Sequence, residues 1–194
     1  MEAEMMQPND IEEIDPASGD MAYFSVSNNK LRNLYLLTFG LYAIYWFYKN
    51  WQLQQPYMKK KIMPKMRGIF NIFFTHSLAK RIKASLTRQN QRENGSLLWF
   101  ASLFVLFLIL GNLASTLADR GIVPPYFKLI WIMLFYISSF PLVELQDKIN
   151  LLKNDPFGQL NSHYSWINIS IMVVGGILWL FGIVGSLAII SPPE

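Results

Sequence analysis

The chain has 194 residues, 52% of them apolar and only 15% charged, with a net charge of +4. A soluble domain is usually about 25% charged, so much of this surface is expected to face something other than water. The lack of cysteine excludes disulfides, thiolate catalysis and Cys-based metal sites.

Residues 1–29 hold seven acids, no Lys or Arg, and the breakers Pro8, Pro16 and Gly19. They read as an acidic, disordered tail; the sharper alternative is a docking arm for a basic surface of the same protein. No basic stretch leads into an apolar core there, so the tail is not read as a secretory leader. Insertion is expected to be directed by the internal apolar segments.

The remainder, 30–194, is expected to be one transmembrane domain: an all-α, polytopic helix bundle of about four spans with an interfacial amphipathic helix. The first span is placed at about 31–51. No charge occurs from Leu34 to Tyr48, but the stretch is at the short end for crossing, since about 20 helical residues span a bilayer core. Gly40 in its middle offers a place to break and re-enter, and crossing is the favoured alternative. Tyr42, Tyr45, Trp46, Tyr48 and Trp51 crowd its end beside Lys49, as an interfacial aromatic belt would.

Residues 52–96 form a basic segment. The stretch from Lys49 to Arg92 carries eleven of the seventeen Lys and Arg residues. Gln52 to Arg67 reads as a linker broken by Pro56 and Pro64. Gly68 to Gln89 reads as one helix, apolar at Ile69–Phe74 and then amphipathic, with Leu78, Ile82 and Leu86 recurring every four residues. That stripe suits a helix lying in the membrane interface. Lys59, Lys60, Lys61, Lys65, Arg67, Lys80, Arg81 and Lys83 are the candidate lipid-headgroup ligands. Each such cation near an anionic leaflet is worth about 1 kcal/mol.

The later spans are expected at about 97–118, 126–143 and 166–190. Gly111, Ala114, Ser115 and Ala118 in the second, and Gly175, Gly176, Gly182 and Gly185 in the last, supply small residues for close helix packing. Asn112 is expected to bond a neighbouring helix. Pro141 should kink the third span without ending it. Beyond it, 144–153 reads as a helix extension leaving the bilayer, stopped at Asn154-Asp155-Pro156. Lys and Arg accumulate on the cytoplasmic side, so 49–96 and 144–165 are expected in the cytosol and the C-terminus outside. A crossing first segment would put the acidic tail outside as well.

Three motifs carry a resemblance. They are TFGLYAIYWFYKNW (Thr38 to Trp51), Pro64-x-x-Arg67-x-Ile69-Phe70, and Gln146-x-x-Ile149-Asn150 with Gly175-Gly176-x-x-Trp179 in the last span. Through them the chain, from Phe24 onward, resembles a family of uncharacterised bacterial inner-membrane proteins defined by a domain of unknown function. The resemblance implies a multi-pass protein of the bacterial cytoplasmic membrane. It implies no catalytic residue and no cofactor.

The residues themselves point the same way. His76 and His163 fall in different loops, and no paired-His metal spacing, phosphate-binding glycine loop or G-x-S-x-G turn occurs. No metal or cofactor is therefore expected. Glu144, Asp147, Asp155 and His163 read as a surface ion-pair set rather than an acid/base site. The expected role is a non-catalytic scaffold or accessory subunit, not an enzyme. Its partners would be the bilayer, anionic phospholipids, and a membrane protein or a second copy, without nucleic acid. An oligomeric transporter or channel is the alternative, and a lipid-acting enzyme using Asp147, Asp155 or His163 the third reading.

Overall fold

The computed structural model describes residues 22–91 and 96–190. Of the acidic tail expected at 1–29, residues 1–21 lie outside them, while 22–29 are corrected from disordered tail to packed chain, with Tyr23 and Val26 buried and a helix beginning at Asn28. Among the described residues there are helices and turns and no strand. The helices are α1 (Asn28–Leu37), α2 (Leu41–Gln54), α3 (Pro64–Ile69), α4 (Asn71–Arg88), α5 (Ser96–Asp119), α6 (Lys128–Leu152) and α7 (Trp166–Ile190).

Three helices are long and apolar enough to cross a membrane: Ser96–Asp119, Phe127–Leu152 and Trp166–Gly185. They are joined in turn by a short connection at 120–127 and a loop at 153–165. The first connection is pinned by a 2.7 Å ion pair between Lys128 and Asp119. Pro141 lies inside α6, which continues past it to Leu152.

The stretch 31–51 is not one rod. Phe39 and Gly40 both take positive φ, 53° and 85°, and split it into α1 and α2, each too short to span alone. Gly40 adopts this conformation at little cost, having no Cβ. The turn keeps its backbone groups occupied. Thr38 N–H donates to Leu34 O, Gly40 N–H to Tyr35 O, and Thr38 Oγ1 accepts from Tyr42 N–H. Trp179 Nε1 of α7 donates to Leu36 O at 2.8 Å. The tip thus sits against the middle of α7 and α6, with Phe39 stacked on Trp179 and Gly40 beside the Phe135 ring.

The basic segment also differs from expectation. Its helix breaks at Phe70, so α3 and α4 are separate. The stripe Leu78, Ile82 and Leu86 is fully buried in the protein core, which corrects the reading of an amphipathic helix laid on a membrane. The core it joins includes Trp46, Phe47 and Trp51 of α2, Leu97, Ala101 and Phe104 of α5, and Leu145 and Ile149 of α6. The 144–153 extension is corrected as well. Leu145, Gln146, Ile149, Asn150 and Leu152 have no exposed surface, so this end of α6 is the centre of the core rather than a solvated rod.

Candidate functional site: an amide clamp, a lysine-rich face and a cavity

Residues 22–27 cross the core as an extended strap. An extended segment with no β partner leaves its carbonyls without hydrogen bonds, and each buried orphan costs about 1–3 kcal/mol. Here side-chain amides replace the missing ladder. Ala22 O accepts from Gln54 Nε2 at 2.9 Å, Phe24 O from Gln146 Nε2 at 3.2 Å, Ser25 O from Asn161 Nδ2 at 3.1 Å and Val26 O from Asn150 Nδ2 at 3.0 Å. Phe24 N–H donates to Asn50 Oδ1 at 3.1 Å. Trp46 Nε1 closes the set by donating to Gln146 Oε1.

Spacing explains how the helices deliver these groups. Trp46, Asn50 and Gln54 lie four apart on α2, and Gln146 and Asn150 four apart on α6, so each set lines one face. The loop at 153–165 presses on the strap from the other side. Gly158, at φ 63°, would place a Cβ 2.5 Å from Val26 O, so only glycine fits. Asp155 anchors this loop, accepting from Gln159 N–H, Leu160 N–H and Ser25 Oγ. Burial tends to raise its carboxyl pKa, but these three donors outweigh that and hold it below the ordinary value. Asp147 accepts from Asn28 Nδ2 at 2.8 Å, and the His163 carbonyl accepts from Lys30. The Asp147 and Asp155 carboxylates are thus tied into separate structural contacts, whereas His163 is held through its backbone carbonyl and lines a cavity. Among the described residues no group of three or more His, Asp or Glu is placed to hold a metal.

The eight headgroup candidates fall into two groups. Lys59, Lys60, Lys61, Lys65 and Lys80 are exposed, while Arg67, Arg81 and Lys83 are partly buried. Arg67 lies over the rings of Trp51 at 4.3 Å and Phe74 at 4.9 Å. Burial lowers its pKa, and the nearby Arg81 adds to the shift. Arg81 donates to Gln54 Oε1 at 2.9 Å, so it steadies the clamp. The exposed lysines have apolar neighbours that also face outward: Met63, Met66, Ile69, Phe70 and Phe73. Gly68 lets α3 approach α2 closely, where a Cβ would meet Ile44 O at 2.7 Å.

The small-residue positions divide similarly. A Cβ at Gly111 would touch Trp131 and Leu134 of α6 at ordinary contact distances, and one at Gly175 would fall 1.7 Å from Leu37 O. Ala118 is buried, and Ala114 and Ser115 are half-buried. At Gly176, Gly182 and Gly185 a Cβ would meet nothing within 4 Å among the described residues. Asn112 faces outward and donates to Leu108 O of its own helix, not to a neighbour as expected.

Between α1, α2 and the start of α7 lies a cavity of about 920 Å³. Lys30, Asn161, His163, Ser165 and Asn168 line it together with the apolar Leu41, Tyr42, Tyr45, Ile167 and Ile171. The sequence offered no specific signal for it: Lys30 is simply the first basic residue, after seven acids and two positions before Arg32. Trp46, Asn50, Gln146 and Asn150 thus meet in the clamp, Arg67 lies over Trp51 beside it, and Gly175 and Trp179 pack instead on the α1–α2 turn. No known family, curated protein or solved structure matches the chain.

Proposed function

We propose that the protein is a multi-pass component of the bacterial inner membrane, a non-catalytic scaffold or accessory subunit whose lysine-rich face meets anionic lipid headgroups. The observation that carries the reading is the juxtaposition of Lys59, Lys60, Lys61 and Lys65 with the exposed Met63, Met66, Ile69, Phe70 and Phe73. Cations beside outward apolar side chains suit a surface that dips into the headgroup layer. In this reading α5, α6 and α7 cross the bilayer and the α1–α2 hairpin enters and returns on one side. Non-helical backbone at membrane depth is tolerated where protein covers it and its polar groups are paired, and the Thr38–Gly40 turn meets that condition. Among the described residues, every Lys and Arg except Arg120 and Lys128 then lies at the strap end, which is the cytosolic end by charge bias. The acidic tail joins the chain at that end too.

Lipid retention in mild detergent tests the headgroup contact. Native mass spectrometry should show wild-type protein keeping more phosphatidylglycerol than a variant with Lys59, Lys60, Lys61 and Lys65 all changed to Gln. The affinity gap should be at least tenfold at low salt. Equal retention would remove the lipid role. A reporter fused before Met21 should be active in the cytosol; activity outside would overturn the re-entrant topology. Cross-linking in native membrane should capture a second copy or another membrane protein, and an isolated monomer would defeat the scaffold reading.

A further inference from the structure

The cavity between α1, α2 and α7 holds a charge that no described residue compensates. Lys30 is 5% exposed, yet among the described residues its ammonium has only neutral acceptors, Asn161 Oδ1 and His163 O, both at 2.6 Å. The ring of Tyr164 lies 6.0 Å away. Among the described residues no carboxylate lines the cavity. An ammonium has three donors, so one donor and the whole positive charge remain unmatched. A buried cation left this way is costly unless an anion joins it. Burial accordingly lowers the Lys30 pKa.

The shape of the cavity specifies the rest of the ligand. Lys30 and Thr38 both line it and lie eight residues apart on the α1 side, about 12 Å along a helix. Asn161 and His163 meet the Lys30 ammonium, and Leu41, Ile167 and Ile171 supply apolar wall. Its volume is within the range of small-molecule sites. We propose that this cavity binds an amphiphile with an anionic head on an acyl chain, the head pairing with Lys30 and the chain lying toward Leu41 and Ile171. The site is separate from Lys59–Lys65. It shares with the preceding section only the premise that the chain is embedded in lipid.

The test uses purified full-length protein in mild detergent, with oleate, dioleoylphosphatidylglycerol and dioleoylphosphatidylcholine as probes and native mass spectrometry as readout. Wild-type protein should bind one equivalent of at least one anionic probe at least tenfold more tightly than the phosphatidylcholine. Binding of oleate alone would assign a single-chain acid, and binding of the phosphatidylglycerol alone or with oleate a phospholipid. Lys30→Gln, which keeps a donor for Asn161, should abolish the preference for an anion. Ile171→Trp alters a half-exposed position on α7, fills the cavity without touching the clamp, and should weaken the anionic probes about tenfold. The variant with Lys59, Lys60, Lys61 and Lys65 changed to Gln should keep this one tight equivalent even if it loses the weaker lipid shell. Equal binding of the neutral and anionic probes by wild type would overturn the proposal. So would unchanged binding in Ile171→Trp.

Discussion

The two ends of the bundle are built by different rules. At the strap end, Trp46, Trp51, Ile82 and Leu145 are sealed from solvent, and the buried amides of Asn50, Gln54, Gln146 and Asn150 are hydrogen-bonded, while Trp51 Nε1 and Asn28 Oδ1 have no partner among the described residues. Along α7 only 6% of the candidate span is buried, and Val173, Leu178, Leu180 and Phe181 face outward. The first region is organised as a water-soluble domain would be, by burial and close polar matching. The second leaves its large apolar side chains for a surrounding apolar medium to cover. The same chain therefore contains a specific lock and a generic anchor.

The contrast can be broken most severely at Gln146. Gln146→Leu would leave Phe24 O and Trp46 Nε1 without their partners. At about 1–3 kcal/mol for each buried orphan, the expected loss is about 4 kcal/mol, read as a lower unfolding temperature in detergent and as exposure of the Trp46 indole to a soluble quencher. Gly175→Ala comes next, because its methyl would collide with Leu37 O. Overpacking of this kind costs about 1–3 kcal/mol, and the hard carbonyl contact places it at the upper end. It should loosen the α1–α2 hairpin from α7 while leaving the clamp protected from hydrogen exchange.

Acid provides a gentler probe. The folded-state pKa of Asp155 lies below its ordinary value of 3.8. Its contribution is therefore complete above that value and is lost as pH falls through the lower folded-state pKa. The strap end should soften on that acid limb, and Asp155→Asn should flatten the dependence in thermal scans at stepped pH. The smallest effects belong to the anchor. Leu178→Ala or Phe181→Ala in the detergent-solubilised chain should change stability by less than about 0.5 kcal/mol, since neither side chain is covered by the protein. A larger loss at either would show that a partner covers that face.

The anchor was the more legible region. Continuous apolar runs mark α5 and α7 without ambiguity, and the course of α6 through Pro141 followed from its flanking pattern. The lock was harder to read because its signals resemble those of a surface. Asn50, Gln54, Gln146 and Asn150 are polar, yet they recur every four residues on otherwise apolar faces, and that combination is the cue. The Leu78, Ile82 and Leu86 stripe was visible, but periodicity identifies an apolar face without saying whether lipid or protein covers it. Gly40 signalled a break; the positive φ at Phe39 beside it had no sequence mark. Lys30 was hidden for a related reason: its significance comes from Asn161 and His163, 131 and 133 residues away in the chain.

The strap also fixes an order of events. Ser25 leaves the ribosome early, but its partners Asn150 and Asp155 follow 125 and 130 residues later. The strap must therefore remain undocked while the later helices are synthesised and threaded into lipid. Its closure is a late step that registers whether the distal helices have arrived, and a nascent chain halted before Gln146 should leave Tyr23 open to protease.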